Sequence, residues 1–181
     1  MKFIDPRHDP WRTLGGEDGP PAYINPTPHL LLTVEQWHAF RAQWPAGMPV
    51  GVILPNDAEV KNIAADLPRL ALVQLNFPKW MDGRAYSQAH TLRMRYRFSG
   101  EVRASGEALV DMVLLMARTG FDAVVLRADQ SLEAAHRALG FFPGYYQGGV
   151  VDPLPLFAKP AGTGEALVRS QAEFLNAGAS I

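Results

Sequence analysis

Leu70-Ala71-Leu72-Val73-Gln74-Leu75-Asn76-Phe77, followed by Asp82-Gly83-Arg84-Ala85 through Leu92-Arg93 and then by Gly100-Glu101-Val102-Arg103-Ala104, decides the fold. The first run is apolar and short enough for a buried strand. Asp82 then offers an N-terminal cap, and Ala85, Ala89, Leu92 and Tyr96 recur at helical spacing. Glu101–Ala104 returns to a strand. Strand, helix and strand in this order call for a parallel pair joined by a right-handed crossover.

The same alternation extends in both directions. Upstream, Leu30–Leu32 is a short strand, and Thr33 with Gln36 forms a capping box opening a helix to about Trp44. Val50–Leu54 is a β-branched strand, and Asn56 with Glu59 opens a second helix that ends before Pro68. Downstream, Ser105 caps a helix with Leu109, Met112, Val113 and Met116 inward, and Gly120 stops it. Ala123–Leu126 is the next strand, and a helix from about Ser131 to Leu139 ends at Gly140. The expected fold is α/β, a mainly parallel sheet of four or more βα units. A complete eight-unit barrel takes about 250 residues, so 181 residues suit a partial barrel or a small open three-layer sheet.

Both ends depart from this rhythm. Residues 5–28 hold Pro6, Pro10, Pro20, Pro21, Pro26 and Pro28 with Gly15, Gly16 and Gly19, which reads as an irregular arm or weak hairpin pinned by Trp11. Residues 141–160 are rich in aromatics, Gly and Pro, and Glu165–Asn176 reads as a last helix. The chain is expected to be one domain, residues 1–181, with arm 1–28 and a wrapping tail 141–181.

Hydrophobic residues make up 48% of the chain, enough for a sizeable core. A net charge of -1 argues against nucleic acid as a partner. Charge is nevertheless uneven: residues 79–127 carry eight Lys/Arg against five Asp/Glu, a local excess that suits a small anion or an acidic partner. The chain contains no cysteine, which removes disulfides, thiolate nucleophiles and cysteine-held metal clusters. Any redox chemistry would need a bound cofactor or a partner to carry electrons. No run is long and apolar enough for a membrane span and no signal pattern opens the chain, so a cytoplasmic location is expected.

Ligands of parallel α/β folds sit beyond the carboxyl ends of the strands. That rule selects Asn76, Lys79, Asp82 and Arg84 after one strand, Ser105, Gly106 and Glu107 after the next, and Arg127 with Asp129 after the third. Alternation adds a polar face: Gln74 with Asn76, and Glu101 with Arg103. Interior parallel strands are normally apolar, so these pairs are either a buried network, with Glu101 and Arg103 satisfying each other across neighbouring strands, or a wet ligand-facing surface. The candidate ligand-binding residues are Lys79, Asp82, Arg84, Arg103 and Arg127. Each also has a plain structural role available as cap, turn or ion-pair partner.

No catalytic residue, cofactor-binding residue or metal ligand can be assigned. His8, His29, His38, His90 and His136 are scattered, and Glu133 with His136 lacks a second pair. The early glycines precede no strand–helix turn, and no nucleophile elbow occurs.

With these residues in view, the chain resembles a bacterial family catalogued as domain of unknown function 934. The resemblance rests on Phe77-Pro78-Lys79, Asp82-Gly83-Arg84, Tyr86-Ser87 and Leu92-Arg93. It continues through Gly100-Glu101, Arg103-Ala104, Gly106, Asp111 and Arg118-x-Gly120-Phe121-Asp122-Ala123, with weaker similarity at Val50–Leu54 and Asp9-Pro10-Trp11. Thr119 stands where many members have Cys, Ala85 where Gly is usual, and Glu107 and Met112 where Asp and Gln are usual. The resemblance implies a place beside a sulfite reductase haemoprotein in sulfate assimilation, and members are often labelled oxidoreductases.

Three functional readings follow. The first is an auxiliary protein of sulfite reduction, acting on the reductase or its substrate. The second is a small enzyme or sensor that binds an anionic metabolite through Arg84, Arg103 and Arg127. The third is a structural homodimer, with residues 141–157 covering the partner.

Overall fold

The computed structural model describes residues 1–14, 23–142, 144–160, 162–164 and 166. Seven strands form one sheet: β1 (Lys2–Phe3), β2 (Arg12–Thr13), β3 (Leu30–Thr33), β4 (Val50–Leu54), β5 (Leu72–Phe77), β6 (Glu101–Gly106) and β7 (Ala123–Val124). Every neighbouring pair is parallel, and the order is β1-β7-β6-β5-β4-β3-β2. From β2 to β7 the chain advances one place at a time. Right-handed crossovers in one direction put all the intervening helices on one face, and the sheet curls into a half-barrel. Of the two expected arrangements, the partial barrel is the one observed.

The covering elements are α1 (Val34–Phe40), a 3-10 helix over Val60–Arg69, α2 (Arg84–Met94), α3 (Val113–Thr119) and α4 (Leu132–Leu139). Leu32, Val52, Leu54, Val73, Leu75, Phe77 and Val102 point toward them and share a core with Trp37, Ile63, Leu92 and Met116. The opposite, concave face carries Leu31, Leu72, Gln74, Asn76 and Arg103, as alternation requires.

β1 and β2 are successive in sequence yet occupy opposite edges of the sheet. The link between them, residues 4–11, therefore crosses the sheet as a strap over the concave face. Asp9 reaches Arg103 of β6, and the ring of Trp11 lies against β4 at Gly51, where a Cβ would stand 3.0 Å from it. Six interstrand steps would span about 29 Å in a flat sheet. Nine Cα steps reach only about 30 Å fully extended, and part of the strap is a turn in which His8 N–H donates to Asp5 O. Curling brings the two edges within reach.

Several local readings change. The Thr33–Gln36 capping box is present in both directions, at 2.9 and 3.2 Å, but α1 stops at Phe40. Asn56 caps nothing: the helix before β5 is 3-10, begins after Glu59 with no side-chain cap and contains Pro68. Ser105 is likewise no cap, because β6 runs on through Gly106 and a 3-10 turn, Val110–Met112, leads into α3. Gly120 is the left-handed stop at φ 108°, and Ser131 caps α4 through Ala134 N–H. The arm contributes strand β2, which its composition concealed. The helix expected at Glu165–Asn176 lies almost wholly outside the described residues. Among the described residues no helix is long and apolar enough to cross a membrane.

Candidate functional site

The carboxyl edge of the sheet repeats one side-chain arrangement three times. After β5, the Arg84 guanidinium straddles Asp82, with Nε to Oδ1 at 2.9 Å and Nη2 to Oδ2 at 2.6 Å. After β7, Arg127 does the same to Asp129 at 2.6 and 2.8 Å, and adds Glu107 at 2.6 Å. After β1, Arg7 straddles Asp5 at 3.0 and 2.9 Å. The residues are two apart in each case. Sequence reasoning missed Asp5 and Arg7; the spacing shared with Asp82 and Arg84 was the available signal.

Asp82 does two further things. It accepts from Asn56 Nδ2 at 2.7 Å, and it accepts from Arg84 N–H at 3.3 Å. The cap residue of α2 is Gly83, without a side-chain bond. The hydrogen bonds from Arg84 hold the Asp82 carboxyl well below the usual carboxylate range, and Asp82 in turn raises Arg84. Hydrogen bonds from Arg127 lower Asp129 to about 2.

A depressed carboxylate stabilises the fold above its unfolded value of about 3.9 and ceases to do so as pH falls through its folded value. We therefore expect the Asp129 carboxyl to titrate near pH 2 in a carbon-detected NMR titration. Replacing Arg127 with Gln should return it to the ordinary range; an unchanged midpoint would show that Arg127 is not the cause.

Arg103 lies elsewhere, on the concave face, with its side chain 2% exposed. It holds Glu101 of its own strand through Nε at 2.8 Å and Nη2 at 2.7 Å, and it holds Asp9 of the strap through Nη1. The expected mutual satisfaction of Glu101 and Arg103 is present, but within one strand, and the second partner comes from the arm. Lys79 is exposed, and its ammonium has no partner among the described residues. Lys79, Asp82 and Arg84 thus share the junction between β5 and α2, while Arg103 and Arg127 lie apart from it. Three arginines are occupied by their own carboxylates, and no shared cleft gathers them.

Arg93 and Asp122, two polar residues of the stretch singled out in the sequence, sit at the amino edge. Arg93 of α2 donates to the carbonyls of Gly120 at 3.0 Å, Gly100 at 2.9 Å and Phe98, and it pairs with Asp122. Asp122 also accepts from Val102 N–H at 2.8 Å. This clamp ties the loops preceding β6 and β7 to α2. Thr119 turns its hydroxyl back to Leu115 O at 2.9 Å. Glu133 pairs with Arg137, not with His136, and His136 meets Phe3 edge-on.

A groove of about 420 Å³ beside α2 is lined by Arg84, Ser87, Gln88, Thr91 and Arg95. Gln88 Nε2 donates to Pro55 O and Ala58 O at 2.7 and 2.8 Å, which pins the loop after β4 to the helix. Among the described residues no three His, Asp or Glu side chains cluster as metal ligands. The arrangement offers ion-paired loop anchors, not an assembled set of acid, base and nucleophile.

No curated protein matches the sequence. A family model described as a bacterial protein of unknown function (DUF934) matches residues 51–157. The match begins at β4, includes both arginine-bearing loops after β5 and β7, and runs on into the tail as far as Phe157. It spans more than half of the chain, which therefore belongs to the DUF934 family.

Proposed function

We propose that this protein is an auxiliary factor that works by docking on another protein, and that its partner is the sulfite reductase haemoprotein. One observation carries the docking part: an aromatic pair stands in solvent on the tail. Tyr146 is 82% and Phe157 73% exposed, and their rings lie 5.7 Å apart. Leu154 extends the same apolar segment. Large side chains left out together in this way are interface material. The pairing of Arg84, Arg103 and Arg127 with their own carboxylates weighs in the same direction, since an anion would have to displace those carboxylates. The choice of partner rests on the neighbourhood in sulfate assimilation that family membership implies.

Purified sulfite reductase haemoprotein should bind the immobilised protein. The double variant Tyr146→Glu with Phe157→Glu should bind at least about tenfold more weakly, as loss of a central aromatic anchor does. A deletion strain should grow poorly on sulfite as the sole sulfur source, and the same variant should fail to restore growth. Normal growth together with no association would overturn the reading.

A further inference from the structure

The edge of the sheet opposite the paired loops holds a cavity of about 540 Å³ between α3, the end of α4, the start of β1 and the tail. Small-molecule sites span about 300–1,000 Å³ and combine an apolar lining with a few placed polar groups. The wall here is made by Leu114, Ala117, Phe121, Leu139, Tyr145 and Val151, with Lys2, Arg118, Asp122 and Asp152 as its charged members.

Those four charges are not equivalent. Asp122 is already taken by Arg93 and by Val102 N–H, and Asp152 by Lys159. The two cations have no carboxylate partner among the described residues. Arg118 lies 4.0 Å over the ring of Tyr145 and donates through Nη2 to Gln147 O at 2.9 Å, while its buried Nε–H has no acceptor. A guanidinium has five donors, and a buried donor without an acceptor costs stability. The cavity is therefore apolar in its body, with uncompensated positive charge at Arg118 and Lys2.

We propose that this cavity binds a small amphipathic monoanion, a carboxylate with an extended apolar body. The carboxylate would take the Nη1 donors of Arg118, which Gln147 does not use, with Lys2 beside it, and the body would lie between α3, Phe121 and Val151. With the carboxylates of Asp122 and Asp152 also in the wall, the site suits a single carboxylate better than a dianionic phosphate, and the apolar wall has nothing to offer a sugar or a free inorganic ion. The site adjoins the Tyr146–Phe157 surface at Tyr145 but uses neither of those two rings, so failure of reductase binding leaves it standing, and the reverse holds too.

Decanoate tests the proposal, with 1-decanol as the uncharged body and sulfate as the charge alone, each titrated calorimetrically into the full-length protein. Decanoate should bind at least about tenfold more tightly than decanol, the size of one charge-assisted hydrogen bond, and sulfate should not bind. Arg118→Gln should bring decanoate to within about twofold of decanol. Ala117→Phe should abolish both by filling the cavity. Should Arg118→Gln fail to fold, Lys2→Gln carries the same test, weakening decanoate and sparing decanol. Equal binding of decanoate and decanol, or an Arg118→Gln protein that keeps the preference, overturns the proposal. So does the absence of heat with decanoate, which is also the result if another part of the chain fills the space.

Discussion

Replacing Arg103 with leucine should lower the unfolding free energy by about 4 kcal/mol, because it removes the shared cation from two partly buried carboxylates. In urea the midpoint should fall with little change in slope, and thermal unfolding should come roughly 8–16 °C earlier. The loss should be local as well as global: amides of residues 4–11 should exchange faster, since Asp9 is the strap's ionic attachment to β6. Adding Asp9→Leu and Glu101→Leu to the same protein should recover much of the stability, because an apolar cluster has no charge left to desolvate. A single-variant loss below about 1 kcal/mol would mean that Arg103 is not holding the strap, and would reopen the concave face as a ligand surface.

Replacing Arg93 with methionine should cost about 3 kcal/mol. Methionine retains most of the apolar stem, so the change isolates the guanidinium, which serves the carbonyls of Gly120, Gly100 and Phe98 together with Asp122. A buried carbonyl left without a donor costs about 1–3 kcal/mol; water entering from the exposed side of Asp122 reduces the total. Asp122→Asn should cost less, because it leaves the three carbonyl contacts intact. If Asp122→Asn is as damaging as Arg93→Met, the ion pair outweighs the carbonyl clamp and this account of Arg93 fails.

These two arginines show where the sequence was readable. Period-two alternation put Glu101 and Arg103 on one face, and helical spacing placed the buried stripe of α2, because both are local rules. Asp9 could not be matched to Arg103 from a single sequence, as the pair is separated by 94 positions and sits in a segment without periodicity. Strands β1 and β2 were invisible for a related reason. Two residues cannot show alternation, and only the edges of the existing sheet make them strands.

Asn56 and Ser105 show the converse. Each satisfies a local capping rule, yet Asn56 is drawn to Asp82 and Ser105 remains in β6, where it aligns with Asn76. Gly106 explains the latter: its φ is 87°, and a Cβ there would come within 2.4 Å of Phe77 O. The chain turns sharply at that glycine, after the serine and not at it. The carboxyl-edge rule found the loops bearing Asp82, Arg84, Arg127 and Asp129, but it had no means of showing that their charges cancel in place. The amino-edge cavity escaped notice because its wall is assembled from both ends of the chain and from α3.

The strap also sets an order of events in time. β2 to β7 pair with sequence neighbours and can join the sheet successively as the chain lengthens. β1 cannot, because Lys2 pairs with Ala123 and Phe3 with Val124. Lys2 and Phe3 are thus among the last residues to be seated in the sheet, and until β7 has emerged they have no edge to join. Contacts so distant in sequence form slowly. Seating β1 on β7 fixes the second end of the strap, so one late pairing ties the two edges of the half-barrel together across its concave face.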